Sequence, residues 1–459
     1  MTFVKKLTCF KAYDVRGKLG EELFEDIAYR IGRATAQSQK AIKVVAGFDA
    51  RATSPDLARA VAKGICDAGA DVLDIGLAGT EEMYSAVKEF GACAGIEVTA
   101  SHNPINYNGM KIVGRGSKPL SDWGFEAIKN LAQESNFDQS RKEGIVINKK
   151  EVARAAYIEK VLGFVDCSNL KPLKIVVNSG NGAAGPTLDA INKKLREKGI
   201  KTNLVYVHHD PDPTFPNGIP NPLLKENRSS TANAVIEQNA DFGIAFDGDF
   251  DRCFFFDHTG DFIPGEYVVG LLAEVFLNKE KGATIIHDSR VTWNMIDIVS
   301  KCGGKAVEAK TGHALVKAAM RKNDAIYGGE MSAHHYFRDF DYCDSGIIPW
   351  LLVWEYLSTS NFLLTDLISV RKTLFPSSGE LNFKVLDAAK CMEKVESHFA
   401  SIAETIDKTD GLSMSFGSWR FNLRKSNTEP LVRLNIETRD VDVLIKEKTN
   451  ELKLLIEQP

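Results

Sequence analysis

The sequence predicts an α/β protein of several domains, three successive βαβ units closed by an α+β unit. Three observations carry that expectation. The chain has 459 residues, too many for one ordinary core, and its length suggests about three domains. A rhythm of apolar strand, polar turn and amphipathic helix starts near the N-terminus and restarts twice. The closing stretch then abandons that rhythm for a mixture of helix and neighbouring strands. The boundaries implied are 1–150, 151–255, 256–369 and 370–459.

In the first unit, Glu21 to Gln39 reads as an amphipathic helix and Ile42 to Phe48 as a buried strand. Ser54-Pro55 forms an N-cap and first-turn pair for a helix running to about Ala68, and Asp71 to Ile75 returns as a strand. Ala94 to Val98 is a further strand-like run, which Pro104 prevents from simply continuing. The charged stretches Arg141-Lys142-Glu143 and Lys149-Lys150-Glu151 predict a helical, solvated connection. The second unit opens with the strand Leu173 to Val177, turns through Asn178-Ser179-Gly180-Asn181-Gly182 and continues as a helix to about Lys198. The strand Asn203 to Val207, a proline-rich loop from Asp210 to Pro222, the helix Thr231 to Asn239 and the strand Phe242 to Phe246 follow. The third begins near the turn Asp257-His258-Thr259-Gly260-Asp261, has strands at Thr284 to His287 and Ala306 to Glu308, and ends in the apolar helix Ile347 to Tyr356. The fourth has strands around Trp419 to Leu423 and Val432 to Ile436, then an amphipathic helix from Val441.

The 57 basic and 61 acidic side chains give a formal net charge of -4, which argues against a nucleic-acid-binding surface as the main business. Hydrophobic residues at 44% and charged residues at 26% fit a water-soluble globular chain. No apolar run approaches the roughly 20 residues that a bilayer span needs, and the stretch after Met1 lacks a signal-peptide h-region. The eight cysteines, from Cys9 to Cys391, include no C-x-x-C pair. Reduced thiols in a cytoplasm fit them better than a disulfide framework or a zinc site.

Several stretches carry chemistry-bearing side chains. Val98-Thr99-Ala100-Ser101-His102-Asn103-Pro104 sets a nucleophilic hydroxyl beside an imidazole, ahead of Asn106-Tyr107-Asn108-Gly109-Met110-Lys111. It lacks the G-x-S-x-G of a serine-hydrolase elbow. In an extended segment adjacent side chains diverge, so His102 is expected to be a poor base for its neighbour. Taken alone, Ser101 reads as a turn residue. Asp247-Gly248-Asp249-Phe250-Asp251-Arg252 closes an apolar strand with carboxylates at i, i+2 and i+4. They repel one another unless a cation or a loop separates them, and alternate residues of an extended segment project to one side, which suits an oxygen-liganded divalent ion such as Mg2+. An EF-hand is excluded, because Arg252 stands at its sixth position and His258 at its twelfth. The competing reading is a solvated acidic turn.

Gly180-Asn181-Gly182-Ala183-Ala184-Gly185 matches the dinucleotide fingerprint G-x-G-x-x-G between a strand and a helix. A tight, closely packed turn needs the same glycines, and Asp210 lies beyond the distance expected of a ribose-binding acid. Arg424-Lys425-Ser426-Asn427-Thr428-Glu429-Pro430, with Arg433 beyond, offers a guanidinium fork, hydroxyls, an amide and backbone donors. That is a phosphate cradle or, on the plainer view, a polar hairpin. Gly329-Glu330-Met331-Ser332-Ala333-His334-His335 sets a carboxylate, a hydroxyl and imidazoles in a row that suits sugar hydroxyls, though alone it is unspecific. Tyr13-Asp14-Val15-Arg16-Gly17 gains meaning only in company.

Together, and in this order along the whole chain, these motifs resemble those of the α-D-phosphohexomutases, and within them the bacterial phosphomannomutases. The resemblance implies an α/β protein of four domains in a heart-shaped arrangement, three related mixed-sheet α/β domains plus a C-terminal α+β domain around a central cleft. It implies that Ser101 is a phosphoserine, and that Mg2+ is held by Asp247, Asp249, Asp251 and an oxygen borne on Ser101. Catalytic duties fall to Ser101, His102, Lys111, Arg16 and Arg252. Substrate binding falls to Tyr13, Arg290, His313, Glu330, Ser332, His334, Arg424, Ser426, Asn427, Thr428 and Arg433. Glu-Met-Ser in the sugar loop looks like the mannose/glucose type; Ala333 stands where relatives often have Gly, and Arg290 where some have Lys.

The activity implied is reversible interconversion of mannose 6-phosphate and mannose 1-phosphate. It runs through the phosphoserine enzyme and a hexose 1,6-bisphosphate that also serves as activator, and it supplies GDP-mannose and polysaccharide biosynthesis. Phosphoglucomutase or dual-specificity activity is the near alternative. A metal-dependent sugar phosphatase with Asp247 as nucleophile, and an oxidoreductase built on the Gly180 fingerprint, are rivals from other classes. The partners expected are small sugar phosphates, without nucleic acid or membrane, in a cytoplasmic monomer or weak homodimer.

Overall fold

A computed structural model describes residues 6–140, 142–290, 292–426, 431–439 and 441–457. The chain divides into two compact units, Met1–Phe262 with Asp339–Asn361, and Ile263–Arg338 with Phe362–Pro459. The first sheet of unit one contains β1 (Val15–Lys18), β2 (Lys43–Phe48), β3 (Asp71–Leu77), β4 (Ala94–Val98), β5 (Tyr107–Gly114) and β6 (Val146–Asn148), in the order β1-β5-β4-β2-β3-β6. Strands β2, β3, β4 and β6 are parallel; β5 is antiparallel to β4, and β1 is antiparallel to β5. The second sheet contains β7 (Lys174–Asn178), β8 (Asn203–Val207), β9 (Phe242–Phe246) and β10 (Cys253–Asp257), in the order β8-β7-β9-β10. Strand β7 pairs in parallel with β8 and β9, and β10 is antiparallel to β9.

In unit two, β11 (Thr284–Asp288), β12 (Lys305–Ala309), β13 (Tyr327–Gly329) and β14 (His335–Phe337) follow the order β12-β11-β13-β14, again with an antiparallel last pair. Three sheets thus share one plan. A central strand (β2, β7 or β11) is flanked in parallel by the next two strands, and the strand after those doubles back. The closing sheet is different. It is antiparallel throughout, with β15 (Ser377–Lys384), β16 (Thr405–Asp407), β17 (Leu412–Ser415), β18 (Trp419–Lys425) and β19 (Leu431–Thr438) in the order β15-β19-β18-β17-β16. The three related mixed sheets and the α+β closure are the expected fold class.

After Lys43, β2 reads as an unbroken apolar run, as does β9, and β4 does so apart from buried Glu97, because helices cover parallel strands on both faces. Val44, Ala46, Ile96 and Val98 of β2 and β4 join Val61 and Ile65 of the helix Ser54–Asp67 in one core. That packing places the ends of β2 and β4, and the loops leaving them, side by side.

One expectation changes. Part of the charged connection expected to be helical is instead an edge strand, β6. Ile145 donates its N–H to Asp71 Oδ1 at 3.0 Å, and Val72 donates to the Ile145 carbonyl at 2.9 Å. The open edge of β3 offers backbone partners that local charge spacing does not reveal, and the helix begins only at Lys150. The apolar helix Ile347–Thr359 packs within unit one. Buried Glu81 accepts from the N–H groups of Gly346 (2.9 Å) and Ile347 (3.2 Å) at its start, where a helix leaves backbone donors unpaired. Trp354 Nε1 donates to the Lys171 carbonyl at 2.7 Å. All eight cysteines are free thiols, and no helix among the described residues is long and apolar enough to cross a membrane.

Candidate active site

Strand β4 delivers the chain to a turn in which Ser101 takes φ +49°, a left-handed conformation that a non-glycine residue keeps only when its surroundings enforce it. The enforcement is a row of buried polar groups. Ser101 donates its N–H to Thr99 Oγ1 at 2.8 Å, Thr99 Oγ1 donates to Asp49 Oδ2 at 2.7 Å, and Ser54 Oγ donates to Asp49 Oδ1 at 2.6 Å. Arg51, 2% exposed, donates to the carbonyls of Ser101 (3.0 Å), Pro104 (3.0 Å) and Tyr107 (3.1 Å), and also to that of Asn103. A planar fork with five donors suits such a ring of acceptors. Sequence reasoning misses Asp49 and Arg51. Their signal is a charged pair placed directly after an apolar strand, which otherwise passes for a solvated turn. Ser54 is not the helix cap either; its hydroxyl is turned to Asp49, and the N-cap residue Thr53 makes no side-chain cap bond.

The same turn overturns the expectation that His102 diverges from its neighbour, because His102 Nδ1 lies 3.0 Å from Ser101 Oγ. The divergence argument holds for extended backbone, and this backbone is left-handed. Arg16, on β1, donates from Nη1 to the Thr99 carbonyl at 2.6 Å. It passes over Gly109, where a Cβ would stand 2.6 Å from that nitrogen and 2.2 Å from the Val15 carbonyl oxygen.

Between β9 and β10, the oxygens of Asp247, Asp249 and Asp251 converge to within 4.8 Å of one another. A turn achieves this, not extended alternation: Phe250 sits at φ +45° and donates its N–H to the Asp247 carbonyl at 3.1 Å. Asp247 Oδ2 accepts from Ser101 Oγ at 2.7 Å and from Arg252 Nε at 2.9 Å and Nη2 at 2.7 Å. Asp249 Oδ2 accepts from Thr80 Oγ1 at 2.5 Å and Lys111 Nζ at 2.7 Å, and Asp251 Oδ2 accepts from Lys111 Nζ at 2.5 Å. Asp247 Oδ1 and Asp249 Oδ1 are buried with no hydrogen-bond partner. Orphaned carboxylate oxygens are costly, and a cluster of them is the donor set a hard divalent cation takes. The residues present therefore fit a metal. The Gly180 fingerprint packs against this loop: a Cβ on Gly182 would come 2.7 Å from the Gly248 carbonyl oxygen, to which Ala183 donates its N–H at 3.1 Å. Close packing accounts for these glycines.

Burial pulls the Lys111 ammonium down, but Asp249 and Asp251 outweigh it and hold Lys111 well above the ordinary lysine range. Burial likewise raises Asp249, yet Lys111 and Thr80 keep it below the ordinary carboxylate range. His102 moves the other way. Its side chain is 40% exposed, but the protein packed around it, then Arg252 and Arg16, hold it well below an ordinary histidine. Arg252 Nη2 donates to His102 Nδ1, so the lone pair of a neutral imidazole is already engaged. A hydroxyl touching a cation-binding carboxylate, with buried Arg252 and Lys111 beside it, is an arrangement able to accept and hand on a phosphoryl group.

Unit two holds the remaining side chains. Glu330, between β13 and β14, accepts from the Gly312 N–H at 3.0 Å and from the Tyr336 hydroxyl at 2.5 Å, and its own N–H donates to the His334 carbonyl at 2.9 Å. His313 follows Gly312 as the first residue of the helix His313–Asn323. Arg290 donates from Nε to Asp288 Oδ2 at 2.9 Å and from Nη2 to Ser332 Oγ at 3.3 Å, and lies 3.6 Å from Glu330 Oε1. Arg424 and Arg433 are partners across β18 and β19. Both pair with Glu380 of β15, at 2.8 and 3.2 Å, and Arg290 Nη1 is 3.7 Å from the same carboxylate. Glu380 is a further residue that sequence reasoning misses, since one acid in a half-buried strand carries no motif. Ser426, at the end of β18, donates its N–H to the Leu431 carbonyl at 2.9 Å. Asn427 and Thr428 lie outside the described residues. In unit one, Tyr13 is half-buried in the turn ahead of β1.

The models of the phosphoglucomutase/phosphomannomutase family match the chain in succession, with α/β/α domain I over residues 7–139, domain II over 155–260, domain III over 264–374 and the C-terminal domain over 380–452. A phosphomannomutase of Escherichia coli strain K12 is 55% identical over 460 residues, covering 99% of this chain and 100% of that protein. One from Salmonella typhimurium is 56% identical over 454 residues, covering 99% and 100%. Among solved structures, a phosphoglucomutase/phosphomannomutase family protein from Burkholderia thailandensis matches with a TM-score of 0.86 and 32% identity, over 98% of this chain and 97% of that one.

Proposed function

The chain belongs to the phosphoglucomutase/phosphomannomutase family, and from that premise we propose that it is a phosphomannomutase interconverting mannose 6-phosphate and mannose 1-phosphate. The observation that carries the reading is Ser101 Oγ, held in a strained turn 2.7 Å from Asp247 of the three-carboxylate cluster. In the active form Ser101 bears the phosphoryl group. The free hydroxyl of the sugar attacks phosphorus as the P–Oγ bond breaks, and the proton that hydroxyl loses ends on Oγ, so Ser101 returns to the hydroxyl that Asp247 accepts here. The resulting hexose 1,6-bisphosphate turns round, and its other phosphoryl group passes back to Ser101 by the reverse displacement. Alignment and charge do most of the catalysis.

Arg252 anchors Asp247 and offsets charge that develops on Oγ. Lys111, held cationic by Asp249 and Asp251, adds positive charge and is no base in this state. His102 supports Arg252 rather than taking a proton, because its Nδ1 lone pair already accepts from that guanidinium. Arg16 ties β1 to the serine turn. Asp247, Asp249, Asp251 and a phosphoserine oxygen would hold Mg2+, which when bound supplies further positive charge for the departing oxygen. In unit two, Glu330 and Ser332 read sugar hydroxyls, assisted by His313 and His334. Arg290, Arg424, Ser426 and Arg433 grip the phosphate that is not being transferred, and the resemblance gives Asn427 and Thr428 the same duty. The product feeds GDP-mannose and polysaccharide synthesis in the cytoplasm.

A coupled assay on mannose and glucose phosphates, with the bisphosphate as activator, tests this reading. Ser101→Ala should lose at least about a thousandfold of turnover while unfolding at the same temperature as the parent. Full turnover in that variant would remove Ser101 from the reaction.

A further inference from the structure

We propose that Glu380 is a built-in counter-anion of the phosphate-gripping arginines, competing with the sugar's non-transferring phosphate and holding its affinity down. The inference rests on the reading of Arg424 and Arg433 as phosphate holders. These two guanidiniums, facing each other across β18 and β19, bring two positive charges to one carboxylate, with Nη···O distances of 2.8 and 3.2 Å. Arg290 Nη1 stands 3.7 Å from the same group, but its charge is already shared by Asp288 and Glu330.

The arginines are only partly satisfied by this arrangement. Arg424 Nε and Arg433 Nε are buried with no hydrogen-bond partner. A carboxylate has two oxygens, whereas a phosphate ester has three free ones and up to twice the charge, so it can use donors that Glu380 leaves idle. Burial and the nearby charge of Arg290 depress Arg424, and Glu380 counters them. With no phosphate present, Glu380 therefore limits the mutual repulsion of the arginines. A phosphate arriving must share or displace it, and pays for that in affinity.

Such a brake suits a reaction whose intermediate has to release one phosphate and present the other. Binding that is equally tight in every state lowers KM without raising turnover, and a bisphosphate gripped too firmly cannot turn round. The side chains of Glu380 and Arg433 keep 23% and 28% of their surface exposed. Both groups therefore stay within reach of a ligand from solvent.

The test is calorimetric titration of inorganic phosphate into the full-length protein, with steady-state kinetics alongside. Glu380→Gln keeps the shape and removes the charge, and it should bind phosphate about tenfold more tightly. Its KM for the sugar phosphate should fall by a similar factor, and kcat should fall with it. Glu380→Asp keeps the charge and should stay near the parent in both. Arg424→Met should weaken phosphate binding in either background. Equal or weaker phosphate binding by Glu380→Gln, while binding still depends on Arg424, overturns the inference. So does equal tightening by Glu380→Asp. If phosphate binding ignores Arg424 altogether, the reading of that arginine as a phosphate holder fails instead.

Discussion

Replacing Lys111 with methionine tests whether the three-carboxylate loop is a cation site. Lys111 is 7% exposed and bonds two of the three carboxylates, at 2.7 and 2.5 Å. Carboxylate oxygens within 4.8 Å of one another repel by about 3 kcal/mol per pair at an effective dielectric near 20. Lys111 and Arg252 offset that repulsion here. Removing one partner of a buried ion pair costs about 3–5 kcal/mol, so Lys111→Met should lose about that much stability when EDTA removes divalent ions. Methionine keeps the length and apolar stem, which confines the change to charge.

Millimolar Mg2+ should then restore part of the loss. A ligand bound only by the native state stabilises it by RT ln(1 + [L]/Kd), about 2.7 kcal/mol at a hundredfold excess over Kd. Without the competing ammonium the variant should bind the ion more tightly than the parent, so its deficit should shrink by about 1–3 kcal/mol. Urea unfolding of both proteins, followed by circular dichroism in EDTA and in Mg2+, reads the difference directly. An identical deficit in the two conditions would falsify the metal assignment, because a cation held elsewhere cannot replace Lys111.

Two further substitutions probe residues that no motif announces. Arg51→Met strips four loop carbonyls of their donor, and should cost about 2–4 kcal/mol in urea unfolding. It should also lower kcat more than it raises KM, because the Ser101 turn loosens; Arg51→Lys should rescue only part, and undiminished kcat in Arg51→Met would show that the clamp is dispensable. Glu266 is 5% exposed; burial, only partly offset by its backbone N–H and the Ser377 hydroxyl, pushes it from 4.5 up to about 7. The native state therefore holds the proton more tightly than the unfolded chain, so this contribution is full below about pH 4 and is lost as pH rises through about 7, a change of about 3 kcal/mol. Glu266→Gln should match the parent near pH 4 and exceed it by about that amount above pH 8 in unfolding experiments, and a gap independent of pH would rule out a protonated Glu266.

By itself the sequence determined the repeated α/β plan, the different closing sheet, and the order of the serine, aspartate, sugar and arginine motifs. Those are local properties. Hydrophobic period, a loop after a strand, and spacing of like charges are each written within a few neighbouring residues. Tertiary structure decided what those motifs rest on. Asp49 and Arg51 look like an ordinary turn until the packing of β2 beside β4 brings them under the Ser101 turn, some 50 positions away. Ser101 meets Asp247 across 146 positions, and no period spans that distance. His102 approaches Ser101 because the backbone at Ser101 is left-handed, a state the sequence does not announce. No motif in the sequence singles out Glu380, and only β15 pairing with β19 brings it to two arginines. A residue type reports what a side chain can do; which charge or carbonyl it meets is set by contacts between segments far apart in the chain.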